Sequence, residues 1–389
     1  MGACGSAKAS PGARSPLDIE SSAAVKPTRI CSEMDMSQVP NTEKKTSGNT
    51  KRLSDSQFSI GFVCRKGRKP GARAMPNQDS WVVYREPQKI SVYAVFDGHG
   101  ETGHVVSDHV KQSLPQRLVS ACRAQPWDMT SSMQACYRQV QKGLASKPTL
   151  GASKSGTTAT VILHDHESER LICSHVGDST AVLLKQAPES DRLVAEPLTR
   201  DHKPELQDER DRINKHGRVV FDGYCHRVVK KHGMAPGLAV SRSLGDTMAH
   251  DVCGVSDVPE VLEKAVTSQD RAVLVCSDGI WEVMSPEEAA DIVGEFGPDQ
   301  AMQAARKLAD KAVDRWLCGT NGQMTDDVTV VLAWLHACTS SPRSRTETCS
   351  TGAPSIDSTD YCDRARACTE DSMGHAGIDV ADFGAMEQR

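Results

Sequence analysis

The chain has 389 residues, with 46 Lys and Arg against 51 Asp and Glu, for a net charge of -5 at pH 7. That length holds one large domain with tails, or two domains, and the near balance of charge presents no broad positive field for nucleic acid. The 14 cysteines form no Cys-x-x-Cys pair, which argues against a zinc ribbon or a thioredoxin-type site, and no apolar run reaches membrane-spanning length.

Residues 1–52 are rich in Ser, Thr, Lys, Ala and Pro without apolar periodicity, so a disordered tail is expected. The opening Met-Gly-Ala-Cys-Gly-Ser fits the N-myristoylation pattern, with Gly2 as the acylated residue and Cys4 as a site for a second, palmitoyl chain. One acyl chain gives marginal membrane binding and two anchor stably, so the expectation is a cytoplasmic protein held at the cytosolic face of a membrane.

Residues 57–65 alternate well enough for an opening strand, and 66–76 form a basic loop containing Gly and Pro. A strand at 81–84 is expected to pair with the first like a hairpin, leading into 90–96. That segment, Ile-Ser-Val-Tyr-Ala-Val-Phe, is β-branched and aromatic and reads as a buried strand. Val106, Val110, Leu114 and Leu118 recur every fourth residue, predicting a helix over 102–119 that Pro115 should kink or interrupt. A second helix is predicted over 129–144.

The segments 155–163 and 170–184 are β-rich, the latter broken by Gly177-Asp178-Ser179. A charged stretch, 198–223, holds a short helix near 205–215, and 237–246 reads as loop. A buried strand at 271–276 ends in Ser277-Asp278-Gly279. Helices follow at 286–295 and 299–317, and the last strong strand, 328–335, is entered through Thr325-Asp326-Asp327. From 338 to 389 the composition again predicts a disordered tail, leaving 53–337 as the folded domain. Strands grouped together with helical pairs between them fit an α+β class, antiparallel sheets covered by helices, better than alternating βαβ units.

One pattern recurs through this domain. Asp97, Asp178, Asp278 and Asp326 each stand at the edge of an apolar strand, and Asp97 and Asp278 are each followed by Gly. Singly, each Asp-Gly is as well read as a turn. Gathered at one rim, such carboxylates repel one another unless they are protonated or bridged by cations. Oxygen ligands without Cys or paired His favour Mg²⁺ or Mn²⁺ over Zn²⁺. In Asp97-Gly98-His99-Gly100, Asp97 and the Gly98 carbonyl are candidate ligands and His99 is a candidate proton donor.

The chain resembles the metal-dependent protein Ser/Thr phosphatases of type 2C. The resemblance runs, in the family's order, through Asn-Gln-Asp-Ser, Val-Phe-Asp-Gly-His-Gly, Ser-Gly-Thr-Thr-Ala and Val-Gly-Asp-Ser. It continues through Leu-Thr-Arg-Asp-His-Lys-Pro, Ser-Arg-Ser-Leu-Gly-Asp, Ser-Asp-Gly-Ile-Trp-Glu-Val-Met and Asp-Asp-Val-Thr-Val. It implies a β-sandwich of two antiparallel sheets flanked by helices, with the metal site in the cleft between the sheets. It also implies hydrolysis of phosphoserine and phosphothreonine in proteins by direct attack of a metal-bridging water.

By the same resemblance Asp97 bridges two ions, Gly98 binds one of them, and Asp278 and Asp326 hold the other. Asp178 and Glu282 match ligands of a third, weaker ion, and His99 matches the general acid. Gln78-Asp79 stands where many relatives have Glu-Asp, so Gln78 would meet a metal through water and Asp79 belongs to the same set. Ala74 occupies the position of a phosphate-binding Arg. Arg73 is the favoured replacement, with Lys66, Arg68 and Lys69 in the same loop. Residues 201–229 correspond to the family's flap, read either as a substrate contact or as a solvated surface, and Asp246 and Asp257 are expected to be structural. A monomer acting on phosphoproteins is expected. The competing reading is a catalytically impaired relative that binds phosphoproteins or serves as a membrane-tethered adaptor, which would have no need of the carboxylates. The chain has no Cys-x5-Arg, Asp-x-Asp, Gly-x-Ser-x-Gly or P-loop pattern, so other phosphatase and hydrolase chemistries find no motif.

Overall fold

Side chains alternate strictly along the longest buried strands, and that alternation dictates a layered architecture. The computed structural model describes residues 59–68, 75–86 and 89–335. The acylation pattern at Gly2 and Cys4, Arg73 and the whole of both predicted tails lie outside them.

The first strands are β1 (Ile60–Arg65), β2 (Ser80–Glu86), β3 (Ile90–Phe96) and the two-residue β4 (Gly98–His99). Helices α1 (Gly103–Ala124) and α2 (Met129–Ala145) follow, then β5 (Gly156–Thr157), β6 (Ala159–Asp165), β7 (Arg170–Val176), β8 (Thr180–Gln186) and β9 (Leu193–Pro197). A smaller unit comprises α3 (Gln207–Ile213), β10 (Gly217–Phe221), β11 (His226–Lys230), β12 (Pro236–Leu238), β13 (Leu244–Gly245) and α4 (Thr247–Cys253). The chain returns through β14 (Glu260–Ala265), β15 (Asp270–Cys276), α5 (Asp278–Trp281), α6 (Pro286–Gly294), α7 (Ala301–Gly319) and β16 (Val328–Trp334).

Two five-stranded antiparallel sheets result, ordered β1-β16-β15-β8-β9 and β14-β7-β6-β3-β2. On β3, Val92, Ala94 and Phe96 pack toward α1 and α2, while Tyr93 and Val95 join the layer between the sheets. On β15, Ala272, Leu274 and Cys276 face α6 and α7, while Val273 and Val275, beside Val331 and Ala333 of β16, turn inward toward the other sheet. Each fully buried Val or Leu contributes about 1.5–3 kcal/mol, so a one-residue slip in either strand would exchange two cores at once. The order of layers is helices, sheet, sheet, helices, as the resemblance implies.

Three local expectations change. β1 does not pair with β2: it lies antiparallel to β16 in the other sheet, while β2 pairs with β3. The segment between β1 and β2 is too long for a tight hairpin and instead carries the chain from one sheet to the other. Pro115 does not end α1, which runs through it to Ala124 with Leu114 and Leu118 fully buried on either side. The apolar contact of that face with the sheet outweighs the one backbone hydrogen bond that proline removes. Strands β9, β10, β11 and β14 carry too many charges or exposed positions to register as apolar runs. β14, for example, is an edge strand reading Glu-Val-Leu-Glu-Lys-Ala.

Candidate metal and phosphate site

Strand register gathers the acidic residues. In one sheet Phe96 pairs with Ser80, Val95 with Thr160, and Ala159 with Val176. In the other, Cys276 pairs with both Thr180 and Val330. The end of β3, the start of β2 and the end of β7 therefore share one rim with the start of β8, the end of β15 and the start of β16. Asp79, Asp97, Asp178, Asp278 and Asp326 all sit at that rim. Glu282 joins them because α5 begins at Asp278 and its N–H caps onto the Asp278 carbonyl at 2.9 Å, one turn later on the same face.

The carboxylates feel one another. Burial, and then the Asp278 charge, push Asp97 well above the usual carboxylate range, and burial followed by Asp178 does the same to Asp278. Asp79 is raised to about 7 by burial and then by Asp327. Its Oδ2 accepts from Ser277 Oγ at 2.8 Å and Thr329 Oγ1 at 2.6 Å, yet its Oδ1 is buried with no hydrogen-bond partner. A buried cluster of carboxylates with an orphaned oxygen has the chemistry to take up a cation, and all-oxygen donors suit Mg²⁺ or Mn²⁺. The residues present fit those ions.

The Asp97 backbone is locked from both sides. Its N–H donates to Thr158 Oγ1 at 2.9 Å and its carbonyl accepts from Thr158 N–H at 2.8 Å. Gly98 follows where backbone crowds backbone: a Cβ there would stand 2.5 Å from the Gly103 carbonyl oxygen and 2.6 Å from that of Gln78. Only glycine brings this carbonyl to the rim. The Gln78 side chain donates from Nε2 to the Gly100 carbonyl at 2.6 Å and so ties the entry of β2 to the Asp-Gly-His-Gly loop.

His99 is about a quarter exposed (28%), and its Nε2 lies 2.7 Å from Asp246 Oδ2. Burial opposes the charged ring, but Asp246, with Asp178 and Asp278 behind it, outweighs burial and holds His99 above its ordinary value. Asp246 is displaced downward: burial opposes this too, and the His99 charge prevails. Asp246, expected to be structural, is thus also in contact with the ring.

Other participants carried no assigned role in the sequence. Asp327 accepts from Gly67 N–H at 2.6 Å and Gln78 N–H at 2.7 Å, joining the basic loop to the rim. Lys203 forms an ion pair with the buried Asp178. Burial would lower the Lys203 pKa, but Asp178 overrides it and the ammonium is held above its usual range. Lys203 and Asp246 both lie inside quoted motifs, which was the available signal. Asp327 likewise lies inside a quoted motif, Asp-Asp-Val-Thr-Val, next to Asp326.

A second group of ligand types lies elsewhere. His175, His202 and Glu260 each bring one ligand atom within 4.8 Å of the others. Their chemistry is already committed. His175 Nε2 meets the Arg200 carbonyl at 2.9 Å, and His202 Nδ1 accepts from Gly177 N–H at 3.1 Å, which puts the His202 proton on Nε2. Glu260 Oε1 faces that Nε2 across 3.5 Å and is also shared by Arg200 and Arg242. These contacts make an ion-pair joint beside the 201–229 segment. The rim carboxylates converge less tightly than that, spread from Asp79 through Asp97 and Asp278 to Asp178.

Known proteins share the sequence and the fold of this chain. Residues 71–319 match the family model described as Protein phosphatase 2C. Probable protein phosphatase 2C 64 of Oryza sativa is 38% identical over 250 residues, 62% of this chain and 57% of that protein. Probable protein phosphatase 2C 48 of the same species is 34% identical over 62% of this chain and 74% of its own length. The crystal structure of serine-threonine phosphatase 2C from Toxoplasma gondii shares the fold, with a TM-score of 0.59 and 19% identity over 71% of this chain and 94% of that one. A C. elegans sex determining protein gives the same TM-score at 22% identity, over 72% of this chain and 65% of that one. This chain belongs to the protein phosphatase 2C family, a family of metal-dependent Ser/Thr protein phosphatases.

Proposed function

We propose that this chain hydrolyses phosphoserine and phosphothreonine in proteins, with phosphate passing directly to water. The observation that carries the reading is the convergence of mutually perturbed carboxylates on one rim beside a histidine held by its own aspartate. Asp97 and the Gly98 carbonyl, Asp278 and Asp326 would hold two Mg²⁺ or Mn²⁺ ions, with Asp79 and Gln78 in support. Asp178 and Glu282 would share a third, weaker one with Asp278. When bound, such ions neutralise phosphoryl oxygens and acidify water. His99 donates a proton to the departing seryl or threonyl oxygen as the P–O bond breaks, so the alkoxide leaves as an alcohol. Cys276, beside Ser277-Asp278, is no competing nucleophile: burial keeps its thiol far above the range in which it ionises. Arg73 is proposed to receive the phosphate, by a charge-assisted fork of donors.

The test is phosphate release from a phosphothreonine peptide with Mn²⁺, with Mg²⁺ and with EDTA, for the wild type and Asp278→Ala. Release that needs the metal and disappears in the variant is expected. No release with either ion would leave the adaptor reading in its place, and release that persists in EDTA would contradict the metal-dependent mechanism.

A further inference from the structure

His99 and Asp246 meet because three very short strands lie side by side. β4 carries His99, β13 leads into Asp246, and β5 pairs with both, His99 and Gly245 each lying opposite Gly156. A Cβ on Gly156 would stand 2.1 Å from Asp246 Oδ2 and 2.7 Å from His99 Nε2. The bare glycine is the gap through which the carboxylate reaches the ring.

The Asp246 turn is over-determined. Its residue sits in the left-handed region (φ 42°, ψ 38°), at the start of α4, and its side chain makes no cap to that helix. The conformation is costly for a non-glycine residue and persists only where the surroundings impose it. Here they do. Gln141 of α2 holds both backbone groups of Gly245, each at 2.7 Å, and Asp246 N–H donates to the Ser155 carbonyl at 2.9 Å. The freed carboxylate accepts from Ser243 Oγ at 2.6 Å and from His99 Nε2 at 2.7 Å on the same oxygen, Oδ2.

We infer that Asp246 is the positioning residue of the phosphatase reaction: it fixes the proton of His99 on Nε2 and so assigns Nδ1 as the nitrogen that protonates the leaving alkoxide. A carboxylate only accepts, so the imidazolium places Nε2–H on Asp246 and Nδ1–H toward the substrate. When Nδ1 gives its proton to the leaving oxygen, the ring is left as the neutral Nε2–H tautomer, still bonded to Asp246. No ring flip intervenes between turnovers, and Nδ1 regains its proton from water. Ser243 fixes the carboxylate itself. The inference rests on the general-acid reading of His99 given above.

Leaving groups separate the possibilities. An alkoxide from phosphothreonine needs a proton, whereas nitrophenolate departs without one. Asp246→Asn, Ser243→Ala and His99→Ala are each assayed with Mn²⁺ on a phosphothreonine peptide and on p-nitrophenyl phosphate, with kcat and KM resolved. Asp246→Asn should lower kcat on the peptide by on the order of 10²-fold and on the aryl ester by far less, with KM for the peptide nearly constant. Ser243→Ala should shift the same ratio in the same direction by a smaller factor, and it carries the test if Asp246→Asn does not fold. Equal losses on both substrates in folded variants, while His99→Ala discriminates between them, would overturn the positioning role alone. A His99→Ala enzyme that loses both substrates equally would overturn the general acid, and the positioning role with it.

Discussion

Lys203 shows how one side chain can tune the rim. Its ammonium neutralises Asp178, the carboxylate that with Asp278 and Glu282 forms the proposed third cation site. An internal cation and a divalent ion compete for the same oxygens, so the third ion would bind weakly while Lys203 stays in place. Lys203→Met should therefore tighten that site by about tenfold, roughly 1.4 kcal/mol, read as Mn²⁺ affinity by calorimetry. Unchanged or weaker Mn²⁺ binding would mean that Lys203 and the ion do not share Asp178. The rim aspartates were legible in the sequence because each follows or precedes an apolar run. The Lys203 partner was not, since its contact joins residues 25 apart across a loop that sequence reads only as charged.

At the scale of elements, the segment between β9 and β14 is held by charge as well as by apolar contact. Glu209 of α3 is almost fully buried and pairs with Arg242 and Arg212, accepting also from Ser241. Arg242 reaches the Val258 carbonyl and Glu260 of β14 as well, so one guanidinium joins the flap helix to the sheet edge. Removing Arg242 would leave the buried Glu209 carboxylate with Arg212 as its one remaining cation among the described residues and would free the sheet edge from the helix. Arg242→Met should cost about 3 kcal/mol of stability, measured as a lower urea midpoint at unchanged slope. A loss no larger than that of an exposed ion pair would contradict the placement of Glu209. Sequence reasoning recovered the long apolar elements β3, β15, β16, α2 and α7 nearly in full. It missed β9, β10, β11 and β14: half-exposed strands owe their state to the neighbour they pair with, and composition does not record the neighbour.

Over the whole molecule, the two sheets divide the labour of building the site. One contributes Asp79 and Asp97, the other Asp278 and Asp326, and Asp178 lies on the three-residue crossing between β7 and β8. The sandwich core between them, with Trp81, Tyr93, Val275 and Val331, fixes the distance between the two sets. The membrane expectation belongs to this scale too. No described helix is long and apolar enough to cross a bilayer, and the attachment expected from the sequence rests on Gly2 and Cys4. Gly2→Ala should move the protein from the membrane to the soluble fraction of a cell lysate; an unaltered distribution would rule out acylation as the anchor. The account as a whole stands on the rim carboxylates acting together through bound cations. Its most direct test is a Mn²⁺ titration of the metal-stripped chain in which ions bound and phosphate released from a phosphothreonine peptide are followed in the same samples. Release that rises as a pair of ions fills and is absent from Asp97→Ala is the predicted result. Full occupancy without release, or release before any ion binds, would contradict it.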